Sequence, residues 1–95
     1  MTSIQKLEKI TDVFIRETGR AVTSMNHMVD NSYAFFPRGF LGSEVGKVAL
    51  RLQQLIYRGS RFAEKLPKRL SKKVLGYVGT AERTYRDYEM AGGLI

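Results

Sequence analysis

The sequence predicts an all-α protein of three helices, at about residues 3–31, 44–66 and 72–91, forming a bundle or a long helix packed beside a helical hairpin. Its apolar residues recur at intervals of three and four, the period of one helix face, and no segment shows the strict alternation of a strand. Helix-breaking signals in residues 31–43 and at Pro67 divide the pattern into three. With 95 residues, the chain is expected to form one small helical domain over residues 1–95.

The first predicted helix is unusually long for so small a domain. The hydroxyl of Thr2 or Ser3 can cap its start by accepting from free backbone N–H groups of the first turn. The helically spaced apolar residues that follow are Ile4, Leu7, Ile10, Phe14, Ala21, Val22, Met25, Met28 and Val29. A helix over residues 3–31 measures roughly 40 Å at ~1.5 Å per residue. This length predicts that the helix packs along a partner or along a long antiparallel neighbour.

The segment between the first two helices combines turn signals with aromatic residues. Pro37 disfavours a helix at Phe36, and two glycines follow it. The aromatic loop of this segment consists of Tyr33, Phe35, Phe36 and Phe40. Such a cluster tucks under the end of the bundle, anchors a partner, or inserts into a membrane surface. Exposure of the cluster would indicate an interface.

The second helix is predicted to begin after Ser43, whose hydroxyl would cap it, and to end at Leu66 because Pro67 cannot continue it. Gly59 interrupts its apolar face and is expected to weaken or bend the helix.

The third helix is predicted to be capped by Ser71 and to stop at Gly92 and Gly93. Its tyrosines are Tyr77, Tyr85 and Tyr88. Tyr85 and Tyr88 share the apolar face of the helix, and Tyr77 lies near it. All three are expected to lie in the core rather than to anchor a partner.

Charge is distributed unevenly along the chain, whose formal net charge is +7. Residues 1–37 contain four bases and four acids, whereas residues 38–73 contain ten bases and two acids. Residues 74–95 contain two bases and three acids. The basic middle of the chain is therefore expected to attract polyanions and to steer association with them.

Most of the basic residues follow a regular pattern. On the second helix they recur at helical spacing opposite the apolar face, with Gln54 in the same row. This basic stripe consists of Lys47, Arg51, Arg58, Arg61 and Lys65. A corner cluster continues it into the third helix and consists of Lys68, Arg69, Lys72 and Lys73. Glu64 interrupts the positive charge and is expected to pair with Lys68.

Four interpretations fit the stripe and the cluster. They form an ordinary solvated surface, or they bind the phosphates of RNA or DNA, the headgroups of anionic lipids, or an acidic protein surface. The aromatic residues are not interleaved with the stripe, so the stacking of nucleic-acid bases is not predicted. No charge-free stretch approaches the ~20 apolar residues that a membrane span requires.

Catalysis has no support in the sequence, and no metal or cofactor site is predicted. The chain has no cysteine and one histidine, His27, which excludes a thiol nucleophile and a cysteine-based zinc site. The absence of cysteine fits a reducing compartment inside the cell. A mitochondrial location is one of the compartments that this leaves open.

We therefore expect a non-enzymatic accessory or adaptor subunit of a larger assembly. Its first helix and aromatic loop would bind protein partners, and its basic stripe and corner cluster would meet an acidic partner or an anionic surface. The alternatives are an RNA- or DNA-binding module and a peripheral binder of anionic membranes.

Overall fold

The computed structural model describes the backbone of residues 2–32 and 38–94, and the side chains of residues 2–30 and 45–90. Helix α1 spans Ser3–Ser32, α2 spans Arg38–Ala63 and α3 spans Lys68–Leu94. Within these ranges the chain contains no strand. The predicted all-α class with three helices is confirmed. Helix α3 packs against both α1 and α2, and these two pack against each other less extensively.

Helix α1 begins with a reciprocal cap. The Thr2 hydroxyl accepts from the backbone N–H of Gln5 at 3.2 Å, and the Gln5 side chain accepts from the Thr2 N–H at 2.9 Å. The Thr2 carbonyl then accepts the first helical bond, from the Lys6 N–H. This arrangement is a capping box, in which two otherwise unpaired backbone donors are satisfied at once. The sequence prediction of a cap at Thr2 is confirmed.

The corner between α2 and α3 is built around Pro67. Helix α2 ends at Ala63 rather than at Leu66, because Pro67 has no N–H to donate to the Ala63 carbonyl. The Leu66 N–H donates to that carbonyl instead, at 3.3 Å. The Pro67 carbonyl accepts from the Ser71 N–H at 2.9 Å and starts α3. Ser71 therefore lies inside the first turn of α3, and the prediction that it caps the helix was wrong.

Both α2 and α3 extend further from the corner than predicted. Helix α2 begins at Arg38 rather than near residue 44, so Ser43 lies within it and is not its cap. A helix can start directly after a proline because the missing N–H would be unpaired there in any case. Helix α3 passes through Gly92 and Gly93 and ends at Leu94. A glycine in a helix costs only about 1 kcal/mol relative to alanine, which favourable packing can offset.

Among the described side chains, the core runs along the bundle and is made mostly of small and medium-sized residues. Its buried apolar residues are Phe14, Ala21, Met25, Ala49, Leu52, Leu55, Ala63, Leu70, Val74, Val78 and Ala81. Tyr85 and Tyr88 are partly buried against it, with ring centroids 5.8 Å apart, as predicted for the core. Tyr77 differs from them, because 39% of it is exposed.

Gly59 of α2 lies where side chains of the other two helices meet. It is buried in α2 between Phe14 of α1 and Val78 of α3. A Cβ atom at this position would lie 2.5 Å from Cγ2 of Val78 and would also overlap Cζ of Phe14. Gly59 thus does not break α2, which is continuous from Arg38 to Ala63. The expectation of a weak point is corrected: the missing side chain makes room for its neighbours.

Contacts between the helices establish how they are aligned. Glu8 of α1 meets Arg69 of α3, so the two N-terminal ends lie together. The rings of Phe14 and Phe62 are 6.2 Å apart, which places the C-terminal end of α2 at the same level. Helix α2 is therefore antiparallel to the other two. The bundle measures 51 × 20 × 16 Å, and each helix is 26–30 residues long. The length of α1 is matched within the chain and does not by itself require an external partner.

Candidate binding surface

All nine basic residues predicted as site residues are exposed. Seven of them lie towards one end of the bundle, whereas Lys47 and Arg51 lie on the first half of α2, towards the other end. The stripe residues Lys47, Arg51, Arg58 and Arg61 lie on the outer side of α2, and Lys65 lies in the corner. The corner-cluster residues Lys68, Arg69, Lys72 and Lys73 lie on the first two turns of α3. The stripe and the cluster are thus continuous across the corner, as the sequence predicts.

The predicted aromatic anchor is described only in part. Tyr33, Phe35 and Phe36 lie outside the described residues. The backbone of Phe40 belongs to the first turns of α2, and its side chain lies outside the described residues. Phe40 is therefore a helical residue rather than part of a loop, because α2 starts earlier than its turn signals suggest.

Tyr57 is a further functional candidate that the sequence reasoning missed. It is 63% exposed and stands beside the stripe, with the Arg61 guanidinium 5.5 Å from its ring centroid. Arg61 also donates from Nη1 to the Tyr57 hydroxyl at 3.1 Å. The prediction that no aromatic residue is interleaved with the stripe was wrong. The i,i+4 spacing of Tyr57 and Arg61 was the signal, since residues four apart are neighbours on a helix.

One ion pair is formed among the described side chains. The Arg69 guanidinium lies 3.1 Å from the Glu8 carboxylate, with the two side chains 77% and 43% exposed. An ion pair this open to solvent contributes little stability. Glu64 and Lys68 do not pair, although they are four residues apart, because α2 ends at Ala63 and the i,i+4 geometry of a helix is lost between them.

Folding separates the charge into two halves of the bundle. The basic half comprises residues 2–20 and 55–83, which contain twelve bases and five acids, a net charge of +7. The neutral half comprises residues 21–32, 38–54 and 84–94, which contain four bases and four acids. Contacts at two levels define the division: Phe14 with Phe62 in the basic half, and Gln53 with Tyr85, at 2.7 Å, in the neutral half.

This division localises the electrostatic field. Charges in physiological salt are screened over about 8 Å, whereas the bundle is 51 Å long. An anion near the neutral end therefore feels almost none of the charge at the other end. The surface that attracts anions is the basic half, with exposed cations on α2, in the corner and on α3.

A depression of about 580 Å³ lies along α1, and its described lining residues are Arg16, Gly19, Arg20, Thr23 and Ser24. All five belong to the same helix. Gly19 leaves open space where another residue would have a side chain, since an added Cβ would meet nothing within 4 Å. The depression is thus a gap between exposed side chains and does not enclose a ligand.

No family model, no curated protein and no solved structure matches this chain. None of the three helices, over the residues that the structure describes, is apolar enough along a sufficient length to cross a membrane.

Proposed function

We propose that this protein is a non-enzymatic accessory or adaptor subunit of a larger assembly. Its basic half docks on an acidic protein or another anionic surface, and α1 together with the aromatic loop binds protein partners. The observation that carries the proposal is the charge division: the whole net charge of +7 lies in one half of an elongated bundle.

Physical reasons connect this division with docking. Like charges that are crowded into one region repel each other and reduce the stability of the fold. A negatively charged partner surface relieves that repulsion and speeds the association of the two proteins. Seven of the nine predicted site residues belong to the basic half, and all seven are exposed. All but Arg69 of these seven lack an ion pair within the described part of the chain, so they are available to a partner.

Binding to a polyanion tests the proposal with two matched variants. In the first, Lys65, Lys68 and Lys72 of the basic half are replaced by glutamine. In the second, Lys47, Arg51 and Arg86 of the neutral half are replaced by glutamine. Both variants lose three positive charges. Titration with polyglutamate at low salt, followed by fluorescence anisotropy, is expected to show at least about tenfold weaker binding for the first variant and a clearly smaller loss for the second.

Equal losses in the two variants would show that only the total charge matters and would refute the docking role of the basic half. Circular dichroism of both variants establishes that the helical fold is retained. Absence of polyglutamate binding by the unchanged chain at low salt would refute the proposal as a whole.

The second candidate function is binding to single-stranded RNA or DNA. The contact between Tyr57 and Arg61 favours it, because an exposed aromatic ring beside guanidinium groups can stack a base while the cations hold phosphates. Tyr57→Ala should then weaken the binding of an oligonucleotide by about 1–3 kcal/mol. Tyr77→Ala, on the half-exposed tyrosine of α3, is the control and should leave that affinity unchanged. An oligonucleotide that binds both variants equally well argues against base stacking at Tyr57.

A further inference from the structure

The outer side of the seam between α1 and α2 combines exposed apolar residues with bases. Ile10 and Val13 of α1 are 53% and 49% exposed, although Ile10 is one of the residues predicted to form the apolar face of the helix. They are three residues apart, so their side chains are neighbours on the helix surface. Two large aliphatic residues in one turn form a small apolar surface that no part of the described chain covers.

Contacts with the other helices show which way this surface faces. Glu8 meets Arg69 and therefore marks the side of α1 that faces α3. Phe14 meets Phe62 and marks the side that faces α2. Ile10 stands four residues before Phe14 and therefore lies on the side of α1 that faces α2. Val13 lies further round the helix from Phe14, away from the side that faces α3. The exposed apolar residues thus border the seam between α1 and α2.

The opposite edge of the seam is basic. Arg58 stands four residues before Phe62, so it shares the side of α2 that faces α1. Lys65 lies just past the end of α2, and its N–H donates to the Phe62 carbonyl at 3.0 Å in a 3₁₀-type turn, in which residues three apart lie on the same side. Both are exposed. Gln53 bonds to Tyr85 and marks the other side of α2, which faces α3. Arg58 and Lys65 therefore border α1 rather than α3.

Lys6 extends the positive charge along α1. It stands four residues before Ile10, is exposed, and lies on the same side. Phe62, which is partly buried, forms the floor between the two edges. We define the α1–α2 groove by these residues: Lys6, Ile10, Val13, Arg58, Phe62 and Lys65.

We propose that the α1–α2 groove binds an amphipathic helix of a partner protein whose polar side is acidic. The inference rests on the proposed docking function and names its partner. Apolar side chains of the incoming helix would pack on Ile10, Val13 and Phe62. Its carboxylates would meet Lys6 on one edge and Arg58 and Lys65 on the other.

The composition of the groove selects this occupant over a nucleic acid or a lipid surface. An amphipathic helix engages a groove through the apolar residues of one face, and Ile10, Val13 and Phe62 offer apolar contacts to such a face. A phosphate backbone gains nothing from an apolar floor. A bilayer surface is met by apolar residues that project beyond the charges, whereas here Phe62 is partly buried and lies between the basic edges.

The test uses two synthetic peptides of identical composition, made of leucine, glutamate and alanine. One places leucine at helical intervals of three and four, and the other scrambles the order. Fluorescence anisotropy with the full chain is expected to show at least about tenfold tighter binding of the amphipathic peptide. Equal affinities would overturn the inference.

Matched variants locate the binding surface. Ile10→Glu with Val13→Glu places two negative charges in the groove, and the control, Leu50→Glu with Leu75→Glu, places them at similarly exposed positions on α2 and α3. The groove variant should bind the amphipathic peptide at least about tenfold more weakly, and the control less than about twofold more weakly. All four residues are half exposed, so the fold should tolerate the changes.

The outcomes separate this inference from the proposed function. If polyglutamate binds but the groove and control variants lose the peptide equally, the inference fails and the docking of anions by the basic half stands. If neither peptide nor polyglutamate binds at low salt, both fail. Displacement of the amphipathic peptide by a single-stranded oligonucleotide or by anionic phospholipid vesicles, at lower concentration than by unlabelled peptide, would also overturn the inference and assign the surface to that competitor.

Discussion

The two halves of the bundle have the same helical architecture but differ in charge and in packing. The basic half holds the whole net charge of +7 on its surface, and its interior is held together by close contacts around Gly59. The neutral half contains equal numbers of bases and acids. In this half Gln53 donates to the Tyr85 hydroxyl, and the Tyr85 ring packs against the Tyr88 ring.

In the basic half, charge repulsion at the surface therefore coincides with close contacts around Gly59 in the interior. Twelve bases lie in this half, and their mutual repulsion lowers the stability of the fold. A structure that needed only stability would distribute the bases evenly. The concentration of charge at one end therefore supports a role in binding.

The largest expected effect comes from the tightest contact of the basic half. Gly59→Ala should lower the free energy of unfolding by about 1–3 kcal/mol, because the new methyl group overlaps Phe14 and Val78. The matched control is Gly76→Ala in α3, where an added Cβ meets nothing within 4 Å. That change should raise the free energy of unfolding by about 0.5–1 kcal/mol, since alanine favours the helix. Urea denaturation followed by circular dichroism measures both, and a stabilised Gly59→Ala variant would contradict the described packing.

A smaller effect is expected from the buried threonines of the same half. The Thr11 hydroxyl is fully buried and has no hydrogen-bond partner, whereas the Thr18 hydroxyl donates to the Phe14 carbonyl at 2.8 Å. Thr11→Val should raise the free energy of unfolding by about 1 kcal/mol, because it removes an unpaired polar group without changing the shape. Thr18→Val should lower it by about 0.5–1 kcal/mol through loss of a bond. Thermal denaturation compares the two variants, and equal shifts would show that the two hydroxyls have similar environments.

A still smaller effect should follow from the removal of surface charge. Lys72→Gln with Lys73→Gln relieves repulsion in the basic half and should raise the melting temperature slightly at low salt. The gain should vanish at about 1 M salt, where the screening length falls to about 3 Å. Lys47→Gln with Arg86→Gln removes two charges from the neutral half and should produce no such gain. Equal gains would contradict the charge division.

The smallest effect concerns pH and the neutral half. Partial burial, with the neighbouring Glu89 and Tyr88, raises the pKa of Tyr85 above its ordinary value of 10.0, against the opposing hydrogen bond from Gln53. As pH rises past that value, the unfolded chain loses the phenol proton first, so the folded state loses stability from there upward. Tyr85→Phe should make the decline less steep than in the unchanged chain. Chemical denaturation at several alkaline pH values measures it, and an unchanged decline would show that other groups cause it.

Local features were readable from the sequence because they depend on neighbours along the chain. The three helices, the Thr2 cap and the rows of bases follow from residue spacing alone. The ends of α2 and α3 were harder to place. The backbone hydrogen bonds around Pro67 set the corner and leave Ser71 inside α3, whereas α2 and α3 continue through Ser43 and through the two glycines. The i,i+4 spacing of Tyr57 and Arg61 also predicts their contact, although the sequence-based prediction of an aromatic anchor named only the loop.

The amino-acid sequence is enough to predict that this protein is helical, that its charge is strongly positive, and that most of its bases lie in the middle of the chain. Where that charge lies in space depends on how the helices are arranged. Because α2 runs antiparallel to α1 and α3, its basic C-terminal part joins the N-terminal parts of the other two helices, while its first half joins the neutral end. The alignment of helices depends on contacts between distant residues such as Phe14, Gly59 and Val78. The spacing of residues along the chain does not predict such contacts. For this reason the sequence indicates a basic middle segment, whereas the folded bundle has a basic end.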